Sequence, residues 1–249
     1  MFKIYTAKLF FRILVFLTVL YFYLFVPGSI LHFLEFQFKD FTLLHFVWAI
    51  LILSMINQMI PEGKFSRITM GSRKQFARTY TPPEGGYDKT AVYEYTLKNN
   101  IKTWFVLLSW LTLNGIFALL YVLEIIGPGE LILLSTFFYV ADLICVLIWC
   151  PFQSFIMKNR CCINCRIFNW GHFMMFTPML FIKGFYTWSL FFMSIIVLIR
   201  WEITYANHPY RFWEGSNTAL RCENCNDKIC KIKKPLKGHA HAFRFEIKR

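Results

Sequence analysis

Six of the eight cysteines lie in two short clusters, and these residues have the clearest capacity for chemistry: Cys161, Cys162 and Cys165 in one cluster, and Cys222, Cys225 and Cys230 in the other. Each cluster contains a Cys-x-x-Cys pair, a spacing that lets two thiolates reach one metal ion at about 2.3 Å. Two such pairs supply the four ligands of a tetrahedral site. The sequence therefore predicts a metal site formed by Cys162, Cys165, Cys222 and Cys225, with Cys161 and Cys230 as possible extra ligands.

Zinc is the first expectation for four cytoplasmic thiolates, and its role there would be structural. Iron or an iron–sulfur cluster uses the same ligand set and would make the site an electron carrier. A disulfide exchanger linked to a quinone is a third interpretation, although the predicted compartment is reducing. The two pairs are also much farther apart than the about 15 to 20 residues usual between zinc knuckles.

The composition indicates that lipid surrounds most of the chain. Apolar residues make up 57% of the 249 residues, Phe occurs 29 times, and charged residues are only 16%. That leaves too little polar surface to cover a soluble globule of this size. The apolar residues also occur in blocks close to the about 20 needed to cross a bilayer. We therefore expect an all-α fold, a polytopic membrane helix bundle.

Apolar blocks define a predicted transmembrane domain, residues 1–200, with six spans at about 9–26, 41–60, 104–126, 131–150, 167–182 and 185–199. The last two blocks are short, so five spans with a re-entrant segment are an alternative. The first block lacks a small-residue cleavage site, and we expect it to be kept as a span. A basic loop, 61–103, follows the second span, and a basic tail, 201–249, follows the sixth.

Lysine and arginine mark the predicted cytoplasmic side. The net charge is +13, from 27 basic and 14 acidic residues, and the loop and the tail hold most of the basic ones. By the positive-inside rule both segments and both termini stay in the cytoplasm, and we expect the plasma (inner) membrane. With six spans, only Lys39 and Lys183 face outward. The basic side would meet an anionic inner leaflet, so the charge does not require nucleic acid as a partner.

The two cysteine clusters flank the predicted fifth and sixth spans. Those spans form a hairpin whose ends return to one face of the membrane, so we expect the clusters to be neighbours. A shared metal ion would clamp the hairpin and hold the basic tail close to the membrane. Cys145 and Cys150, in or at the end of the fourth span, are expected to be packing residues.

Three polar residues within the predicted spans are further candidates for function: Asn114, Asp142 and His172. An ionisable Asp142 near the middle of the fourth span is costly in lipid, which favours a functional role such as proton-linked transport. The competing interpretation is a protonated or hydrogen-bonded carboxyl that faces the bundle interior, toward Asn114. Arg12, near the start of the first span, is expected to extend to the inner interface.

Three functions follow as hypotheses, and none of them is an enzyme activity. The sequence contains no phosphate-binding glycine loop, no H-E-x-x-H motif and no G-x-S-x-G motif. The first hypothesis is a membrane scaffold or accessory protein with structural zinc. The second is a redox protein that uses iron at the same thiolates and passes electrons to a membrane partner. The third is a small transporter that uses Asp142.

Overall fold

The computed structural model describes residues 2–26, 43–60, 72–159 and 164–224. No strand occurs within these four stretches, and their regular elements are helical. The all-α prediction is confirmed for this part of the chain. Its α-helices are α1 (Phe2–Phe25), α2 (Leu43–Met59), α3 (Lys89–Val122), α4 (Pro128–Leu147), α5 (Gly171–Phe176) and α6 (Phe185–Asn207).

Four of the described helices, α1, α3, α4 and α6, are long and apolar enough to cross a membrane. α2 is also apolar but has only 17 residues. Large apolar side chains such as Phe10, Leu17 and Val122 lie on the outside of the bundle. A surface of this kind is stable against lipid and would drive aggregation in water. The chain is therefore a membrane helix bundle, as its composition predicts.

α3 begins at Lys89, well before the predicted span 104–126, so the last third of the predicted polar loop is helical. Asp88 explains the early start because its carboxylate caps the helix by accepting a hydrogen bond from the Thr90 backbone N–H at 2.8 Å. The helix has 34 residues, about 51 Å at 1.5 Å per residue, which exceeds the about 30 Å of a hydrocarbon core. α3 therefore extends beyond the membrane at one end.

The predicted fifth span, 167–182, is a broken helix rather than a regular one. It consists of a 3-10 turn (Arg166–Trp170), the short helix α5 and a second 3-10 turn (Thr177–Phe181). Pro178 explains the second break because it lacks the backbone N–H that an α-helix requires there. The Thr177 hydroxyl donates to the Phe173 carbonyl oxygen at 2.6 Å, which supports the backbone beside the break. We call the whole stretch, residues 166–181, the broken segment.

The broken segment runs from one end of the bundle to the other. Ile167, at its start, packs with Met157 and Cys165. Ile182, just after it, packs with Leu131 at the start of α4. We call the end that contains Cys165 the cysteine end and the opposite end, with the turn 123–127 between α3 and α4, the turn end.

Side-chain contacts give the direction of the other helices. Tyr5 of α1 packs on Leu147 of α4 at the cysteine end, whereas Val19 packs near Leu131 at the turn end, so α1 and α4 are antiparallel. The Tyr23 hydroxyl donates to Glu130 Oε1 at 2.6 Å and fixes the turn end of this pair.

α2 lies beside α6 and runs in the same direction. His45 of α2 hydrogen-bonds the Tyr186 hydroxyl at 2.7 Å near the turn end. Met55 packs into the cluster that contains Trp201 toward the cysteine end. Consecutive elements therefore alternate in direction: α1 runs toward the turn end, α2 toward the cysteine end, and α3, α4, the broken segment and α6 continue the alternation.

Residues 72–88 and 208–224 form a polar layer over the cysteine end, which we call the cap layer. Asn217 is its centre: its side chain is fully buried and its amide donates to the carbonyl oxygens of Lys74 and Arg211 at 3.0 and 2.8 Å. The Thr218 backbone N–H donates to the Thr81 carbonyl oxygen at 2.9 Å. Phe212 is buried against Tyr205. The first part of the tail is therefore folded against the protein.

Candidate functional site

The structure describes two of the six clustered cysteines, Cys165 and Cys222, and both lie at the cysteine end. Cys165 is 3% exposed and packs with Val106 and Met157 just before the broken segment. Cys222 is exposed in the cap layer. The other predicted ligands, Cys161, Cys162, Cys225 and Cys230, lie outside the described residues. Among the residues that are described, no group of three His, Cys, Asp or Glu side chains is placed to hold a metal ion.

One hydrogen bond connects the two chain segments that carry the cysteine clusters. The Asn164 side-chain amide donates to the Leu220 carbonyl oxygen at 2.8 Å. Asn164 directly precedes Cys165, and Leu220 comes two residues before Cys222, so this bond holds the two backbones together beside the cysteines. A polar cavity of about 230 Å³ adjoins them, and Asn164, Cys222 and Lys158 all line it.

A charged network centred on Arg166 fixes the start of the broken segment. The Arg166 guanidinium pairs with the Glu202 carboxylate of α6, donates to Asn100 Oδ1 of α3 and lies 3.9 Å from the centre of the Tyr205 ring. The Trp170 indole N–H donates to the other Glu202 oxygen at 2.9 Å. Each Glu202 oxygen thus accepts a hydrogen bond from a different side chain, which fixes the orientation of the carboxylate beside Arg166. The start of the broken segment, α3 and α6 are therefore held in fixed positions relative to one another.

Two titratable side chains of the cap layer are held in their neutral forms. Burial disfavours the charged ring of His208, and the nearby Arg211 adds to this effect, so the pKa of His208 is lowered. Burial raises the pKa of the Tyr80 hydroxyl, as do the neighbouring hydroxyls of Tyr87 and Tyr210. The cap layer thus keeps its uncharged aromatic contacts at neutral pH.

Within the bundle, the partner of Asp142 is Arg12. Arg12 Nη1 lies 2.7 Å from Asp142 Oδ2 and donates to the Tyr139 carbonyl oxygen, also at 2.7 Å. The guanidinium lies 4.3 Å from the centre of the Tyr139 ring. The expectation that Arg12 extends to the interface is therefore wrong, because it turns inward to neutralise a carboxylate on α4. Pairing is the general solution for a charge surrounded by lipid.

The three predicted intramembrane residues do not form one site. His172 lies within electrostatic range of Asp142 and Arg12. Asn114 does not face Asp142 as expected; its buried amide donates to the Trp110 carbonyl oxygen, one turn earlier in α3, at 2.9 Å. The Arg12–Asp142 pair and the nearby His172 neither support nor contradict the transporter hypothesis, which stays a prediction.

Gly171 is part of the ion-pair site, although the sequence does not identify it. A Cβ atom on Gly171 would lie 2.7 Å from Asp142 Oδ1, so the backbone of α5 lies directly against the carboxylate. Only glycine permits this approach without moving Asp142. A contact between residues of two different helices leaves no pattern in the sequence. The presence of glycine at position 171 is the one sign of this contact that the sequence offers.

An apolar cavity of about 280 Å³ extends from the ion pair toward the cysteine end. Asp142 and Cys165 line it together with Cys145 and Cys150. Cys145 and Cys150 are only partly buried, and their placement at a cavity wall differs from the expected role in close packing.

We predict strong coupling between Arg12 and Asp142. Replacing either one alone, as Arg12→Met or Asp142→Leu, leaves an unpaired charge among apolar groups and should destabilise the protein by about 3 to 5 kcal/mol. The double variant removes both charges and should recover most of that loss. Thermal unfolding of the detergent-solubilised variants measures this cycle, and additive losses in the double variant would show that the two charges do not interact.

We also predict that Gly171→Ala is destabilising because the new methyl group displaces the Asp142 carboxylate. The expected loss is about 1 to 3 kcal/mol, the usual range for overpacking. Gly115→Ala in α3 is the matched control, since nothing lies within 4 Å of its added Cβ. That change should be neutral or stabilising by up to about 1 kcal/mol. Equal unfolding temperatures for the two variants would contradict the close approach at Gly171.

Comparisons of this chain with models of protein families, with curated proteins and with solved structures return no match.

Proposed function

We propose that this chain is a membrane scaffold or accessory protein with six crossings, whose last hairpin and basic tail are clamped by structural zinc. The proposed ligands are Cys162, Cys165, Cys222 and Cys225. One observation carries the proposal: the Asn164 amide bonds to the Leu220 carbonyl oxygen at 2.8 Å, which holds together the two chain segments that bear the ligands.

Basic side chains lie near the two described cysteines of the proposed site. Lys158 lines the same polar cavity as Cys222, and Lys102 donates to the Met157 carbonyl oxygen at 3.1 Å nearby. Lysines beside a site of four thiolates and one Zn²⁺ would offset its net negative charge. Zinc, when bound by four thiolates, supplies no redox chemistry and acts as a cross-link between distant parts of a chain. The Arg166–Glu202 pair provides the rigid support that such a site requires.

The alternating directions of the helices support six crossings. α2 and the broken segment are shorter than the other four elements, yet each leads from one end of the bundle to the other. An even number of crossings returns the basic tail to the side of the N-terminus. We propose that both termini lie in the cytoplasm of the plasma (inner) membrane because, in the part of the chain that the structure describes, lysine and arginine are concentrated at the cysteine end. The partners proposed there are anionic lipid and a second membrane protein.

The zinc proposal is tested by elemental analysis of the purified full-length protein. We expect about one zinc per chain, and loss of that zinc in Cys162→Ser and Cys225→Ser. Cys145→Ser and Cys150→Ser are matched controls that should retain the metal, since Cys145 lies in α4, Cys150 lies just after it, and neither belongs to a cluster. A coloured, iron-loaded sample would support the redox hypothesis instead. Protein without stoichiometric metal would overturn the metal site altogether.

The proposed orientation is tested by cysteine labelling with a membrane-impermeant maleimide. Cys222 is exposed, so its reactivity depends on the side of the membrane to which the reagent has access. We expect no labelling of Cys222 in intact cells and strong labelling after permeabilisation in the presence of a zinc chelator, which frees the proposed ligand. Lys183→Cys, in the turn before α6, is the matched control and should react from outside. Labelling of Cys222 in intact cells would show that the orientation is the opposite one or that the protein has one crossing fewer.

A further inference from the structure

A second apolar cavity lies toward the turn end, between α1 and α2, and has a volume of about 150 Å³. Its floor is formed by α4, the broken segment and α6. Phe11 of α1 and Ile50 of α2 line opposite walls and are 47% and 56% exposed. Because these two side chains also lie on the outer surface of the bundle, the cavity opens sideways into the hydrocarbon of the bilayer.

One polar group in this cavity has no partner. Ser135 of α4 lines the floor, its side chain is 2% exposed, and its hydroxyl makes no hydrogen bond within the described part of the chain. A buried serine in a helix usually donates to a carbonyl oxygen in the preceding turn. Thr136, beside it, makes such a bond to the Leu133 carbonyl oxygen at 2.9 Å. Ser135 therefore has an unused donor directed toward an apolar space.

Water does not fit this cavity. A buried water needs two to four polar partners, and three of the other polar groups at the walls already have theirs. The Trp48 indole N–H donates to Ser189 Oγ at 2.8 Å, the Thr187 hydroxyl donates to the Ile182 carbonyl oxygen at 2.7 Å, and Tyr186 is bonded to His45. The unused Ser135 donor in a largely apolar lining favours an occupant that is mostly apolar and carries an oxygen acceptor.

The walls favour a flat ring over an alkyl chain. Five aromatic side chains line the cavity: Phe11, Trp48, Tyr139, Phe176 and Tyr186. Aromatic rings pack well against one another in offset or edge-to-face geometry. A cavity of about 150 Å³ in an apolar protein interior is large enough for one benzene ring.

We infer that this cavity binds the ring of a lipid-soluble carbonyl compound of the benzoquinone type, which enters from the bilayer between α1 and α2 and accepts a hydrogen bond from Ser135. The inference concerns binding only and is independent of the proposed zinc site, which lies at the opposite end of the bundle. A carbonyl oxygen satisfies the Ser135 hydroxyl, and the aromatic walls enclose the ring.

The test uses the full-length protein in detergent and two probes of matched length, an alkyl-substituted benzoquinone and the corresponding alkylbenzene. Binding is measured as a saturable shift of the unfolding temperature. We expect tighter binding of the benzoquinone. Ser135→Ala should weaken it about five-fold, the factor for one ordinary hydrogen bond, and should leave alkylbenzene binding unchanged. Ser194→Ala is the control, because that buried hydroxyl already donates to the Phe191 carbonyl oxygen at 2.6 Å.

Two variants that fill the cavity with a larger side chain test whether the space itself is needed for binding. Ser135→Leu fills the cavity from its floor, and Val47→Phe fills it from the α2 wall. Each should weaken binding of both probes at least ten-fold. Wild-type affinity in a folded filling variant, or binding that never saturates, would overturn the site. Equal affinity of the two probes for the wild type, with no effect of Ser135→Ala, would overturn recognition of the carbonyl oxygen.

Discussion

Lipid offers no hydrogen-bond partners, so every polar group within the spanning helices must be satisfied inside the protein. Most of the contacts described above follow from this constraint. Arg12 and Asp142 neutralise each other, and the Asn114 amide returns to its own helix. Thr96, Thr103 and Ser109 of α3 donate to carbonyl oxygens one turn earlier in the same helix. Helices rich in phenylalanine then pack through apolar contacts, and the Ser135 hydroxyl and Asn114 Oδ1 are exceptions that have no partner among the described residues.

The same constraint explains how much of the fold the sequence predicts. Blocks of apolar residues locate α1, α2, α3, α4 and α6, because burial in lipid acts on composition and length alone. Helix ends are less predictable. α3 starts fifteen residues before the predicted span since a single cap at Asp88, and not hydrophobicity, determines where the backbone becomes helical. The broken segment is helical but irregular, since Pro178 and close packing around Gly171 override the apolar pattern.

The candidate site is less predictable than the fold because its contacts join residues far apart in the sequence. The cysteine spacing identifies the clusters, and the hairpin argument predicts that they are neighbours. Nothing in the sequence links Arg166 to Glu202, or Asn217 to Lys74, since each of these pairs forms only when separate elements pack. Asp142 illustrates the same difficulty: its cost in lipid signals a partner, but the choice between Asn114 and Arg12 depends on which helix packs on α4.

The attachment of α1 has a consequence for the order of assembly during synthesis. α1 packs chiefly on α4. Two side-chain contacts at different positions along α1 attach it there: Arg12 with Asp142, and Tyr23 with Glu130. Asp142 follows Arg12 by 130 residues, so the ribosome delivers the cation long before its counter-ion. Until α4 is made, the guanidinium must be accommodated by headgroups or by the insertion machinery. α1 is made before α4 and therefore docks only after α4 has emerged from the ribosome.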